Sequence, residues 1–175
     1  MSSGHLHLIL GPMFSGKTTK LIELSKTYQN PLIVNYALDT RYNSLLLSTH
    51  DRQTVPCIQL MHLSHSKLLD QADEADAIFI NEGQFFDDLV PVIKELVDTR
   101  GKRVYVCGLD GDFQRRAFGD LLHLVPLCDS LEKLSARCAS CDRPAHFSRR
   151  LTNDSEQVMI GSDEYVPLCR ACYIL

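Results

Sequence analysis

The sequence predicts an α/β fold, a mostly parallel sheet with helices on both faces, followed by a small β module. Three observations predict it. Short apolar runs alternate with helical periodicity as far as Leu109. A glycine-rich turn, Gly11-Pro12-Met13-Phe14-Ser15-Gly16-Lys17-Thr18, joins the first apolar run to the first helix. Two C-x-x-C pairs stand near the C-terminal end, where helical periodicity has disappeared.

Leu6 to Leu10 reads as a buried strand that ends at Gly11. From Lys17 onward Leu21, Leu24 and Tyr28 share one helical face, and Pro31 closes that helix. Leu32 to Leu38 reads as the second strand, with polar residues Asp39 to Asn43 after it. Residues 44 to 54 carry no clear periodicity and are expected to form a mobile loop. Ser66 to Ala75 reads as a helix. Ala77 to Ile80 is a third buried strand, running straight into Asn81 and Glu82. Asp87 or Asp88 caps a helix that starts near Leu89, tolerates Pro91 in its first turn and stops at Gly101. Val104 to Leu109 is the fourth strand. Parallel sheets hold ligands at the carboxyl ends of their strands, where each of these polar clusters lies. The composition changes near residue 134, so residues 1–133 are expected to form the α/β unit and 134–175 the β module.

Of the 175 residues 45% are hydrophobic, enough for a real core. Lys plus Arg number 18 against 22 Asp plus Glu, a net charge of −4. An acidic chain is a poor partner for nucleic acid, whose binding rests on phosphate neutralisation. Small anions remain possible, because backbone dipoles hold them without net positive charge. From Leu134 to the end five arginines face five acidic residues, so the module is no basic patch either. No stretch approaches the roughly 20 apolar residues that span a bilayer, and Leu6 to Leu10 is too short for a signal-peptide core. A cytoplasmic location without a membrane partner is expected, where the seven cysteines stay reduced.

The glycine-rich turn matches G-x-x-x-x-G-K-[ST], a phosphate loop, with a strand before it and a helix after it. That makes the fold P-loop NTPase-like. Its glycines let backbone N–H groups turn toward phosphate oxygens. Lys17 is expected to reach the β- and γ-phosphates, and the Thr18 hydroxyl to ligate Mg²⁺. Glu82, one residue past the third strand, is positioned to take a proton from a substrate hydroxyl. Phe85 and Phe86 wall a flat ligand or belong to the core, with core the better assignment for at least one. Asp110 offers a carboxylate behind the metal. Arg115 and Arg116 steady phosphate charge or form an exposed face. Cys138, Cys141, Cys169 and Cys172 form two thiolate pairs that complete a closed tetrahedral Zn²⁺ site, structural and not catalytic. Cys57, Cys107 and Cys128 are isolated and read as buried small hydrophobes.

Taken together, G-P-M-F-S-G-K-T, D-T-R-Y, T-H-D-R, E-G-Q-F-F, L-D-G-D-F-Q-R, the two C-x-x-C pairs and D-E-Y before the last pair resemble the type II thymidine kinases. The resemblance runs from about Gly4 to Tyr173. It implies that ATP phosphorylates the 5′-hydroxyl of thymidine, with Glu82 as the base. It implies an ATP and phosphate set of Gly11 to Thr18 with Asp39, Arg41, Asn81 and Gln84. Met13, Phe85, Leu109, Phe113 and Phe118 would surround the base. A lid loop on the zinc-ribbon-like module, with Val158, Met159, Ile160, Gly161 and Tyr165, would close over it. A homotetramer inhibited by thymidine triphosphate is also implied. The chain ends two residues after Tyr173, without the tail of the cellular members, which points to a viral or minimal form.

Two departures stand out. Asn81 occupies a position where the family usually has Asp, which leaves Mg²⁺ to Thr18 and the phosphates. Met159-Ile160-Gly161-Ser162-Asp163 replaces an I-G-G loop. The alternatives are a kinase for another pyrimidine deoxynucleoside, or a catalytically weak nucleotide-binding module.

Overall fold

The computed structural model describes residues 3–37, 46–48, 54–153, 155–157 and 164–175. Asp39, Arg41, Val158, Met159, Ile160 and Gly161 lie outside the described residues.

In chain order the main elements are β1 (His5–Leu10), α1 (Lys17–Ser25), β2 (Pro31–Tyr36), β3 (Leu46–Ser48), β4 (Thr54–Pro56), β5 (Ile58–Leu60), α2 (Ser66–Ala72), β6 (Ala77–Ile80), α3 (Leu89–Lys94), β7 (Arg103–Gly108) and β8 (Ser130–Lys133). The strands β5-β2-β6-β7-β1-β8 form one sheet in that order, and every neighbouring pair is parallel. After β8 come β9 (Ala136–Arg137), β10 (Pro144–Ala145), β11 (Phe147–Arg150), β12 (Tyr165–Leu168) and α4 (Arg170–Ile174). β9 pairs with β10 and β11 with β12, both antiparallel.

The sheet is buried on both faces, and its period-2 alternation sorts residues between two cores. Leu6, Leu8 and Leu10 of β1, Ile78 and Ile80 of β6, and Val104 and Val106 of β7 join α2 and α3 on one face. Ile9, Phe79, Tyr105 and Cys107 join Leu21 and Ile22 of α1 on the other. The Phe79 and Tyr105 rings stack with centroids 4.7 Å apart, and the Tyr28 hydroxyl meets that of Tyr105 at 2.7 Å.

Several local expectations change. α1 ends at Ser25, and Pro31 opens β2 instead of closing the helix. The segment expected as a loop contains β3, paired antiparallel with β4. The second helix stops at Ala72, and the fourth strand stops at Gly108. Asp88 stands at the N-cap position of α3 but its carboxylate does not cap it. It accepts instead from the Leu63 and Ser64 N–H groups at 2.9 and 2.8 Å, pinning the chain before α2. Of the three isolated cysteines only Cys107 is fully buried. Among the described residues no helix is long and apolar enough to cross a membrane.

Candidate active site

The carboxyl ends of β1, β6 and β7 converge. β1 leads into Gly11, whose Cβ, if present, would stand 2.8 Å from the Leu134 carbonyl oxygen, so only glycine admits this approach. Phe14 has φ 65° and Gly16 φ 83°. Gly16 at the N-cap of α1 supplies no side chain to the helix N-terminus, which leaves first-turn N–H groups and the helix dipole for an anion. Lys17 is buried, and its ammonium donates to the Pro12 carbonyl at 2.8 Å. Ser15 Oγ donates to the same carbonyl. The Met13 N–H donates to Ser148 Oγ of β11 at 2.9 Å, so the C-terminal module touches the phosphate loop directly.

Thr18 Oγ1 donates to Asn81 Oδ1 at 3.2 Å, tying the loop to the end of β6. Asn81 is 2% exposed. Its Oδ1 also accepts from Cys107 Sγ at 3.0 Å, while its Nδ2 donates to Asn35 Oδ1 at 2.9 Å. The hydroxyl of Thr18 and the amide oxygen of Asn81 are hard oxygen donors that fit Mg²⁺, although the amide brings no charge.

Glu82 follows immediately, in the left-handed region at φ 56°, ψ 45°. A non-glycine residue held there costs on the order of 1–3 kcal/mol, and such strain concentrates at functional sites. Its Oε2 accepts from Gln84 Nε2 at 2.7 Å. Gln84, expected beside the phosphates, has its amide nitrogen toward Glu82, and its Oε1 accepts from the Leu109 N–H at 3.0 Å. Asp110 pairs with Lys133 at 2.5 Å.

The aromatic residues expected around the base form two groups. The Phe85 ring packs edge-on against Phe118 at 5.4 Å and stacks on Tyr36 at 5.2 Å, whereas Phe86 enters the core. Phe113 lies beneath the Arg150 guanidinium, 3.9 Å from its ring centroid. Arg150 is buried and donates to the Tyr165 hydroxyl through Nε at 3.1 Å, and to the carbonyls of Glu156 and Gln157. Arg150 thus joins Phe113 to Tyr165, a role without local sequence signature because the partners come from separate segments.

Arg115 and Arg116 both contact other side chains. Arg115 stacks over the Tyr173 ring at 4.6 Å, and Arg116 Nε donates to Asp112 Oδ2 at 2.8 Å. Asp112, another residue the sequence did not single out, has a fully buried side chain. Burial pushes its pKa up, but hydrogen bonds from the Arg116 N–H, Gln157, the Arg116 guanidinium and the Gln114 N–H outweigh burial and hold it below the ordinary carboxylate range. A folded pKa below the unfolded value of about 3.9 stabilises the fold above that pH, and the gain is lost as pH falls through the folded value. Asp112→Asn is therefore expected to cost about 1–3 kcal/mol at neutral pH, read from denaturant midpoints, and the cost should shrink in acid. An equal penalty at every pH would contradict this.

The sulfur atoms of Cys138, Cys141, Cys169 and Cys172 all lie within 4.8 Å of one another. Cys141 to Cys169 is 3.6 Å and Cys141 to Cys172 is 3.5 Å, too long for disulfides. A tetrahedron of metal–sulfur bonds near 2.3 Å has edges of roughly 3.8 Å, so the cluster fits a bound metal ion. The Arg143 guanidinium, 3.3 Å from Cys141 Sγ, with its own N–H, draws that thiol down to about 6, favouring the thiolate a metal needs.

Comparisons with known proteins agree with this geometry. A family model described as thymidine kinase matches residues 4–173. The chain is 43% identical to the cytosolic thymidine kinase of Bos taurus, over 97% of this chain and 72% of that protein. It is 42% identical to the thymidine kinase of Yaba monkey tumor virus, over 98% of this chain and 95% of that one. It is 40% identical to the thymidine kinase of Monkeypox virus, over 99% of each. A phosphate loop tied to Asn81, the residue before Glu82, with near-complete alignment to these enzymes, means that the chain belongs to the thymidine kinase family.

Proposed function

We infer that this chain transfers the terminal phosphoryl group of ATP to the 5′-hydroxyl of thymidine, giving thymidine monophosphate. The observation that carries the reading is the Thr18–Asn81 hydrogen bond of 3.2 Å, which brings the phosphate loop to the residue preceding Glu82. The loop amides and Lys17 hold the phosphates of ATP, with Asp39 and Arg41 assigned to the same role from the resemblance. When bound with ATP, Mg²⁺ neutralises charge on the β- and γ-phosphate oxygens. Thr18 and Asn81 are the residues that would face it. Glu82 takes the proton from the 5′-hydroxyl as the oxygen attacks phosphorus. Phe85, Phe113, Phe118, Leu109, Met13 and Tyr165 are assigned to the nucleoside pocket, with residues 158–161 as the lid.

The four thiolates support Zn²⁺ over a hard cation. The cytosolic relatives support a cytoplasmic location. A homotetramer with feedback inhibition by thymidine triphosphate belongs to the same reading, and sedimentation and inhibitor titration test it.

Incubation of the metal-loaded chain with ATP, Mg²⁺ and a panel of nucleosides is expected to give thymidine monophosphate with the highest kcat/KM. Preferred phosphorylation of deoxycytidine, or no product, would overturn the reading.

A further inference from the structure

We propose that Gln84 is a positioning residue, an amide clamp that fixes the Glu82 carboxylate relative to the backbone at the end of β7. The proposal rests on Glu82 being the base. Gln84 is 4% exposed, and its amide is engaged at both ends. Oε1 accepts from the Leu109 N–H at 3.0 Å, which orients the amide so that Nε2 faces Glu82 Oε2 at 2.7 Å. A hydrogen bond to a carboxylate is charge-assisted and stronger than a neutral one.

Two glycines admit the clamp. A Cβ on Gly108 would lie 2.3 Å from Gln84 Oε1. A Cβ on Gly119, at φ +55°, would lie 2.1 Å from the Gln84 carbonyl oxygen. Glu82 itself sits on a tight turn, with the Phe85 N–H bonded to its carbonyl at 3.1 Å. Backbone conformation sets where its side chain starts, and the Gln84 amide sets the carboxylate plane. Leu109 is assigned to the nucleoside pocket, so the same amide links the base to the wall that seats its substrate. No atom of Gln84 takes part in the proton transfer.

Displacing a catalytic group by about 1 Å costs up to roughly 100-fold in rate. Gln84→Met, similar in length but without the amide, is expected to lower kcat by about 10- to 100-fold while KM for thymidine and ATP stays within about twofold. Gln84→Asn keeps the amide but is too short to reach both partners, and it should share the loss. If Gln84→Met does not fold, judged by circular dichroism and ATP binding, Gln84→Asn decides. The distinguishing readout is a double-mutant cycle. In a Glu82→Gln background, Gln84→Met should produce no further loss of the residual rate, whereas a merely structural role would add its full cost. Native kcat in both Gln84 variants, or full additivity, would overturn the clamp while Glu82→Gln stays inactive. Undiminished turnover in Glu82→Gln alone would overturn the base assignment instead.

Discussion

Glu82→Gln is expected to lower kcat by about 100- to 10,000-fold, the range over which a positioned general base acts. The substitution keeps size and shape and removes the ability to take a proton. ATP affinity should stay within a few-fold, because the phosphates are assigned to the loop amides, Lys17 and the α1 N-terminus. The fold should survive as well. Glu82 is already held at φ 56°, and glutamine tolerates that backbone no worse than glutamate. Steady-state kinetics with ATP-binding titration measure both quantities. Turnover near native in a folded, ATP-binding variant would remove Glu82 from the mechanism.

Loss of the metal is expected to be as severe by a different route. Apparent metal-binding energies of small zinc modules reach about 10–16 kcal/mol, comparable with the whole stability of a domain. The core around the four cysteines is small, built on Ala136, Ala145 and Leu168, and cannot hold β9 to β12 unaided. Those strands carry Ser148, which holds the Met13 N–H, Arg150, which stacks over Phe113, and Tyr165, whose hydroxyl accepts from Arg150. Cys169→Ser should therefore abolish stoichiometric metal binding, unfold residues beyond 134 and take turnover below about 1% of native, on the scale of losing a structural metal. Hydrogen exchange should show protection lost in β11 and β12 but retained in β1, β6 and β7. Full activity in protein shown by elemental analysis to be metal-free would contradict this.

The parts legible in the sequence share one property: their signal is local. Leu6 to Leu10 before a glycine-rich turn, Ala77 to Ile80 before Asn81, and two C-x-x-C pairs each lie within one short window. β8 escaped because it is an edge strand of alternating half-buried and exposed residues, Ser-Leu-Glu-Lys, with no apolar run. The β3–β4 pair escaped because its few residues show no period. Asp88 reads as a helix cap by spacing, yet its tertiary partners at Leu63 and Ser64 prevail. Adjacent arginines at 115 and 116 read equally as phosphate ligands or surface, and their contacts with Tyr173 and Asp112 come into view only in the structure. The contacts of Arg150, Asp112 and Gln84 bind segments far apart in the chain, and no spacing rule encodes them.

A structure of the metal-loaded chain with thymidine and a non-hydrolysable ATP analogue tests the central claim most directly. The distance from a Glu82 carboxylate oxygen to the thymidine 5′-oxygen is predicted to be about 2.6–3.2 Å, with the terminal phosphate of the analogue in the Gly11–Thr18 loop. A 5′-oxygen beyond reach of Glu82 and facing another proton acceptor would contradict it.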